Sequence, residues 1–197
     1  MGRCVALLLL AIPLVARASG NLVVNGSFEA PALGPGLRGI YGTIPGWMAK
    51  VGAIEVRSTG KASRQHHFVE FDATADATLH QIVRGLKPGT RYQLSFDFAN
   101  QPGAPFSTNG LSWSLDKGAT WNPIAPPSDY AWHSFSTTFK AADHHVDLMF
   151  MGTGVSHARG TSLDNVYICA VPEPHSLALT LAGVGALGLM SHRRRFK

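Results

Sequence analysis

The sequence predicts an all-β domain, a sandwich of two antiparallel sheets with about eight or nine strands. Three observations predict it. Apolar residues recur with a period of two, not 3.6, through residues 21–170. Clusters of Gly, Pro, Asn and Asp interrupt that pattern at short intervals, in a chain holding 21 Gly and 12 Pro. No amphipathic stretch of ten residues or more reads as a helix outside the two ends of the chain.

Taken in order, residues 21–28 read as the opening strand, followed by 47–57, 68–73 and 78–84. Tyr92, Leu94, Phe96 and Phe98 then alternate with Gln93, Ser95 and Asp97. Leu111, Trp113 and Leu115 alternate with serines; Phe135, Thr137 and Phe139 form the next series, then Val146, Leu148 and Phe150, and last Val166 and Ile168. Such alternation gives each strand one apolar and one polar face, and two sheets bury their apolar faces against each other. The separators are Gly85-Leu86-Lys87-Pro88-Gly89, Gln101-Pro102-Gly103, Asp116-Lys117-Gly118 and Pro126-Pro127. A length of about 150 residues is enough to form a core without covalent staples.

Of the 197 residues only 15% are charged and 45% are hydrophobic, which excludes a highly charged disordered chain. The formal charge of +5 lies at the ends. Arg3 and Arg17 precede the domain, and Arg193, Arg194, Arg195 and Lys197 follow it, leaving 11 basic against 11 acidic residues between 19 and 171. A neutral domain offers no basic stripe for phosphates, so nucleic acid is excluded as a partner.

Both ends read as targeting segments. Residues 1–18 combine Arg3, an apolar run from Val5 to Val15, and Ala16-Arg17-Ala18, the small-x-small pattern of a signal-peptidase site with cleavage after Ala18. That run is too short to span a bilayer. Residues 171–197 carry Val171-Pro172-Glu173-Pro174, an apolar stretch from Leu177 to Met190, and Arg193-Arg194-Arg195. Three arginines after an apolar run read as a stop-transfer element with its basic side in the cytoplasm. This tail resembles the PEP-CTERM sorting signal of Gram-negative, exopolysaccharide-producing bacteria. The resemblance implies transient insertion in the inner membrane, processing near Pro172, Glu173 and Pro174 by an exosortase, and release to the cell surface or matrix. Cys4 leaves with the leader, so Cys169 has no partner for an internal disulfide and reads as a small core residue.

Between 21 and 170 the chain carries an ordered set of motifs. Asn21-Leu22-Val23-Val24-Asn25-Gly26-Ser27-Phe28-Glu29 opens it, and Ile44-Pro45-Gly46-Trp47 follows. Next come Gly52-Ala53-Ile54-Glu55-Val56, Phe68-Val69-Glu70-Phe71-Asp72, Gly89-Thr90-Arg91-Tyr92 and Leu94-Ser95-Phe96-Asp97, with Leu163-Asp164-Asn165-Val166 closing the set. The set resembles the six-four-two family of unknown function, found in plant cell-wall proteins and in bacteria. That resemblance implies a galactose-binding-like jelly roll and contact with polysaccharide, and it brings no catalytic residues. It differs from the plant pattern in having one domain and no paired cysteines. Jelly-roll carbohydrate-binding modules of this kind also suggest a structural calcium ion held by Glu29 and Asp164, supplemented by carbonyl oxygens.

Other motifs have plain structural readings. Ser114-Leu115-Asp116-Lys117-Gly118-Ala119-Thr120-Trp121 reads like one Asp-box hairpin turn; a sialidase propeller needs several. The two G-x-G-x-x-G matches, at Gly34/Gly36/Gly39 and Gly183/Gly185/Gly188, do not join a strand to a soluble helix, so neither is a dinucleotide site. His66-His67 and His144-His145 are adjacent pairs whose members point apart on a strand, and read as solvated surface. Glu55, Glu70 and Asp97 alternate with apolar residues and read as the exposed side of strands, although a facing pair at glycosidase spacing would be catalytic. Trp47 and Trp113 read as core. Tyr130 and Trp132, after Pro126-Pro127, are the candidate carbohydrate-binding residues, because flat aromatic faces stack on sugar C–H faces. The functional expectation is a non-catalytic polysaccharide-binding protein, with a structural matrix protein or a hydrolase on the same scaffold as alternatives.

Overall fold

The computed structural model describes residues 20–59, 62–71, 76–155 and 159–172. Readings that concern Ala18, Glu173, Pro174, the Arg193-Arg194-Arg195 tip, the apolar tail and its glycine motif lie outside the described residues. The compact unit spans Ser19–Ala170.

Among the described residues the chain forms twelve strands and one short 3-10 turn. They are β1 (Arg38–Tyr41), β2 (Thr43–Ile44), β3 (Trp47–Val51), β4 (Ile54–Arg57), β5 (Phe68–Glu70), β6 (Thr78–Arg84), β7 (Arg91–Ala99), the 3-10 turn Phe106–Thr108, β8 (Leu111–Ser114), β9 (Asn122–Ile124), β10 (His133–Lys140), β11 (His145–Gly152) and β12 (Ser162–Ala170). They pair into two six-stranded sheets, in the orders β1-β4-β5-β12-β7-β10 and β2-β3-β6-β11-β8-β9. All the pairings between these strands are antiparallel. The expected all-β jelly-roll sandwich is the observed architecture. It has twelve strands among the described residues in place of the eight or nine expected, because β1, β2 and β9 are too short to show a period of two in the sequence.

The alternation read from the sequence places the core. Tyr92, Leu94 and Phe96 of β7 and Val166 and Ile168 of β12 point inward, opposite Leu148 and Phe150 of β11. Phe96 of the first sheet meets Phe150 of the second edge-on, with ring centroids 5.0 Å apart and planes at 84°. Trp47 is buried against Phe28 and Phe150, and Trp113 packs at the core margin against Phe135.

Three expectations need correction. Residues 21–28 are not a strand; they run as turns in which Asn25 (φ 52°) and Phe28 (φ 54°) adopt left-handed conformations. Asparagine side chains replace the ladder there: Asn21 Oδ1 accepts from Val23 and Ile168 N–H, and Asn25 Oδ1 from Ala30 N–H. Residues 47–57 are two strands in different sheets, because Gly52 (φ 62°) turns the chain between β3 and β4. Cys169 is half-buried rather than core: Ile168 takes the inward position, leaving Cys169 on the outward face, opposite Gln93.

Candidate functional site

On the outward face of the first sheet a cleft of about 480 Å³ opens beside the ends of β5, β7 and β12. The register explains its floor. Ser162 of β12 stands opposite Ala99 of β7, and Phe68 lies on neighbouring β5. Asn100, Gln101 and Pro102 carry the wall onward from β7, and Thr59, just after β4, closes one side. Tyr130, Ala131 and Trp132, immediately before β10, form the other wall. Both aromatic candidates read from the sequence therefore line the same cleft.

Neighbouring aromatic rings set the posture of both. Trp132 meets Phe68 edge-on, with centroids 5.7 Å apart at 78°. Tyr130, 45% exposed, stacks on exposed Phe106 at 5.2 Å and 23°, and its hydroxyl lies 3.4 Å from Ala104 O. The loop that carries them is held from below and from its own ends. Asn100 Nδ2 donates to Pro127 O (2.6 Å) and Asp129 O (2.8 Å). Asp129 Oδ1 accepts from Ala131 N–H (3.1 Å) and lies 2.7 Å from His133 Nε2, contacts that hold its carboxyl below the usual range, that with His133 most. Asn100 is 1% exposed, and its Oδ1 is buried without a hydrogen-bond donor. Asn100 and Ser162 were not legible as site residues, since Asn100 precedes an obvious turn and Ser162 is a small polar residue at the start of a strand.

The carboxylates on this face correct the exposed-strand expectation. Glu55 and Glu70 stand opposite each other on β4 and β5 and are each only 1% exposed. Arg57 Nη1 bonds Glu70 Oε2, Arg57 Nε lies 3.7 Å from Glu55 Oε1, and Gly160 N–H donates to Glu70 Oε1. Burial still pushes Glu70 upward, against the opposing pull of Arg57. Asp97 and Asp164 face each other on β7 and β12, both buried. Asp97 accepts from Ser63 Oγ, Ser134 Oγ and Asn165 Nδ2. These acids are buried because side chains and a crossing loop fold over the outward face, a non-local event that strand periodicity does not encode. None of them lines the cleft.

Glu29 and Asp164, the candidate calcium ligands, both clasp the loop that crosses this face. Asp164 Oδ2 accepts from Arg64 N–H (2.8 Å) and Oδ1 from Asn165 N–H (2.6 Å). Glu29 Oε1 accepts from His66 N–H (2.9 Å) and His67 N–H (2.8 Å), while Oε2 lies 2.8 Å from His67 Nδ1. Each of the four oxygens already faces an N–H donor or a ring nitrogen, whereas calcium demands six to eight oxygen ligands. Among the described residues no group of three His, Cys, Asp or Glu converges on one point. The donor set fits a loop clasp and does not fit a calcium ion. His67 is accordingly buried and not solvated, whereas His66 is exposed, as are His144 and His145.

The Asp-box reads as a structural turn. Ser114 Oγ donates to Asp116 Oδ1 (2.6 Å) and accepts from Gly118 N–H, and Thr120 N–H donates to Asp116 Oδ1. These bonds, led by that of Ser114, pull the Asp116 carboxyl down to about 2. Gly34 and Gly36 lie in the loop before β1, and Gly39 within it.

The fold is shared with known carbohydrate-binding modules. TmCBM61, solved in complex with β-1,4-galactotriose, matches with a TM-score of 0.51 at 16% identity, over 78% of this chain and 100% of that one. The CBM22-1-CBM22-2 tandem domain of Paenibacillus barcinonensis Xyn10C matches with a TM-score of 0.51 at 13% identity, over 81% of this chain and 47% of that one. The chain spans only 21% of the bacteriophage CBA120 tailspike protein 4 enzymatically active domain, at 15% identity and a TM-score of 0.47. No curated protein matches the chain. The PEP-CTERM protein-sorting motif matches residues 170–195, and it implies export and recognition by an exosortase. The model of the protein family of unknown function DUF642 matches residues 21–169, and the chain belongs to that family.

Proposed function

We propose that this is an exported, exosortase-sorted, non-catalytic protein of the cell envelope or polysaccharide matrix that binds a carbohydrate chain in the cleft on the first sheet. The single observation that carries the reading is that Tyr130 and Trp132 share one open cleft, their rings braced by Phe106 and Phe68. A flat, braced aromatic loses little freedom on stacking against a sugar. Polar groups of Thr59, Gln101 and Ser162 lie in the same lining and can bond hydroxyls. The burial of Glu55, Glu70, Asp97 and Asp164, away from that lining, supports a binding role over hydrolysis.

The test is a glycan-binding screen on the full-length chain, repeated with Tyr130→Ala and Trp132→Ala. Stacked aromatic contacts contribute about 1 kcal/mol each, so each variant is expected to weaken binding about fivefold. Folded variants that bind like wild type would place the sugar elsewhere, and a chain that binds no glycan would leave the structural matrix role.

A further inference from the structure

We infer, resting on the carbohydrate-binding reading, that the cleft selects neutral sugar chains and rejects acidic ones such as uronic-acid polymers. Among the described residues the lining holds no charged side chain. Its one buried, unanswered polar atom is an acceptor, Asn100 Oδ1. The orientation of that amide is fixed by chemistry: Nδ2 faces the carbonyl oxygens of Pro127 and Asp129, which can only accept, so the other atom is the oxygen. An orphaned acceptor needs a donor. A sugar hydroxyl at that point supplies one, whereas a carboxylate or sulfate group placed there only accepts and leaves the oxygen orphaned.

Two of the described cations nearby, Arg57 and Arg38, are already committed to carboxylates. Arg57, beside Thr59, bonds Glu70, approaches Glu55, and donates through Nε to Thr59 Oγ1 at 3.2 Å. Arg38 reaches Glu55 at 3.5 Å from the solvent side. Arg159 touches the rim, with Nη1 3.4 Å from Gly103 O. On the same face beside the floor, Asp97 and Asp164 are held by hydroxyl, amide and backbone donors. An acidic sugar entering the cleft would lose hydration of its carboxylate with no cation among the described lining residues to meet it, a costly exchange. A neutral sugar meets hydroxyl, amide and aromatic partners and leaves no charge unpaired.

The experiment measures binding of the full-length chain to immobilised galactan, xylan and β-glucan as neutral probes, and to polygalacturonate and alginate as acidic ones. Expected are retention on at least one neutral probe, no retention on either acidic probe, and a change of less than about twofold between roughly 50 and 500 mM NaCl, because no ion pair is screened. Ala131→Lys, at an exposed lining position, is expected to add retention on polygalacturonate that the wild type lacks. Retention on an acidic probe equal to or above the neutral ones, or a neutral interaction that collapses with salt, overturns the inference and leaves the carbohydrate-binding reading standing. Retention on no probe overturns both.

Discussion

Asp164 has no exposed surface, and burial pushes its carboxyl from an ordinary value of 3.8 up to about 7, with Asp97 beside it acting in the same direction. Between those two values the folded chain keeps a proton that the unfolded chain has released. Stability therefore falls as pH rises from about 4 to about 7 and levels off above, and Glu70, also raised, adds the same sign. Denaturant midpoints of wild type and Asp164→Asn across pH 4–8 check this; the variant is expected to show the flatter profile. Glu29 behaves oppositely: burial works to raise it, but the His66 and His67 amides and the His67 ring outweigh that and leave it lowered. Its contribution is lost on acidification. Because the Glu29 and Asp164 oxygens already face nitrogen groups, melting midpoints of the full-length chain with calcium and with chelator are expected to coincide. A rise with calcium that Glu29→Gln abolishes would show that the clasp opens to take the ion.

At the scale of elements, two junctions decide whether strands meet correctly. β5 pairs with β12 only at Ser162 and Leu163, and the irregular segment 21–26 is laced to the rest of β12. Leu22 N–H donates to Ile168 O, Val166 N–H to Gly26 O, and Asn21 Nδ2 to Val166 O. A Cβ on Gly26 would stand 2.1 Å from Val166 O, inside any allowed contact. Gly26→Ala is expected to destabilise by about 1–3 kcal/mol, read as a lower urea midpoint with an unchanged slope. The β8–β9 turn depends on the fully buried Ser114, whose hydroxyl serves Asp116 and Gly118. Ser114→Ala is expected to cost about 1–3 kcal/mol and to speed hydrogen exchange at Gly118 and Thr120, since buried partners are left unanswered.

For the whole molecule, the sorting motif over 170–195 sets a prediction that does not depend on the cleft. Intact mass of the protein from its exosortase-positive host is expected to lack residues 175–197; an unprocessed tail would overturn the sorting reading. Replacing Arg193, Arg194 and Arg195 by Ser is expected to reduce membrane retention of the precursor, because a basic cap resists translocation. The charge distribution agrees with the two roles: the surplus sits at the ends, and the domain between them is balanced.

The sequence by itself determined the sandwich, because a period of two needs only neighbouring residues, and alternation in β7 and β10 is nearly unbroken. It also determined the family and the sorting tail, which are ordered linear motifs. Tyr130 and Trp132 were legible as site candidates because an aromatic pair follows a diproline turn. Only the tertiary structure decided that they face one cleft, for its floor comes from β5, β7 and β12, strands up to 94 positions apart in the chain from Phe68 to Ser162. The same holds for the acids. Periodicity puts Glu55, Glu70 and Asp97 on the outward face correctly, and they are buried because Arg57, Ser63 and Gly160 come to them from elsewhere in the chain. Asn100 was invisible for a related reason: an asparagine before a turn looks like turn chemistry, and its orphaned oxygen exists only once the loop carrying Tyr130 and Trp132 has folded onto its amide nitrogen.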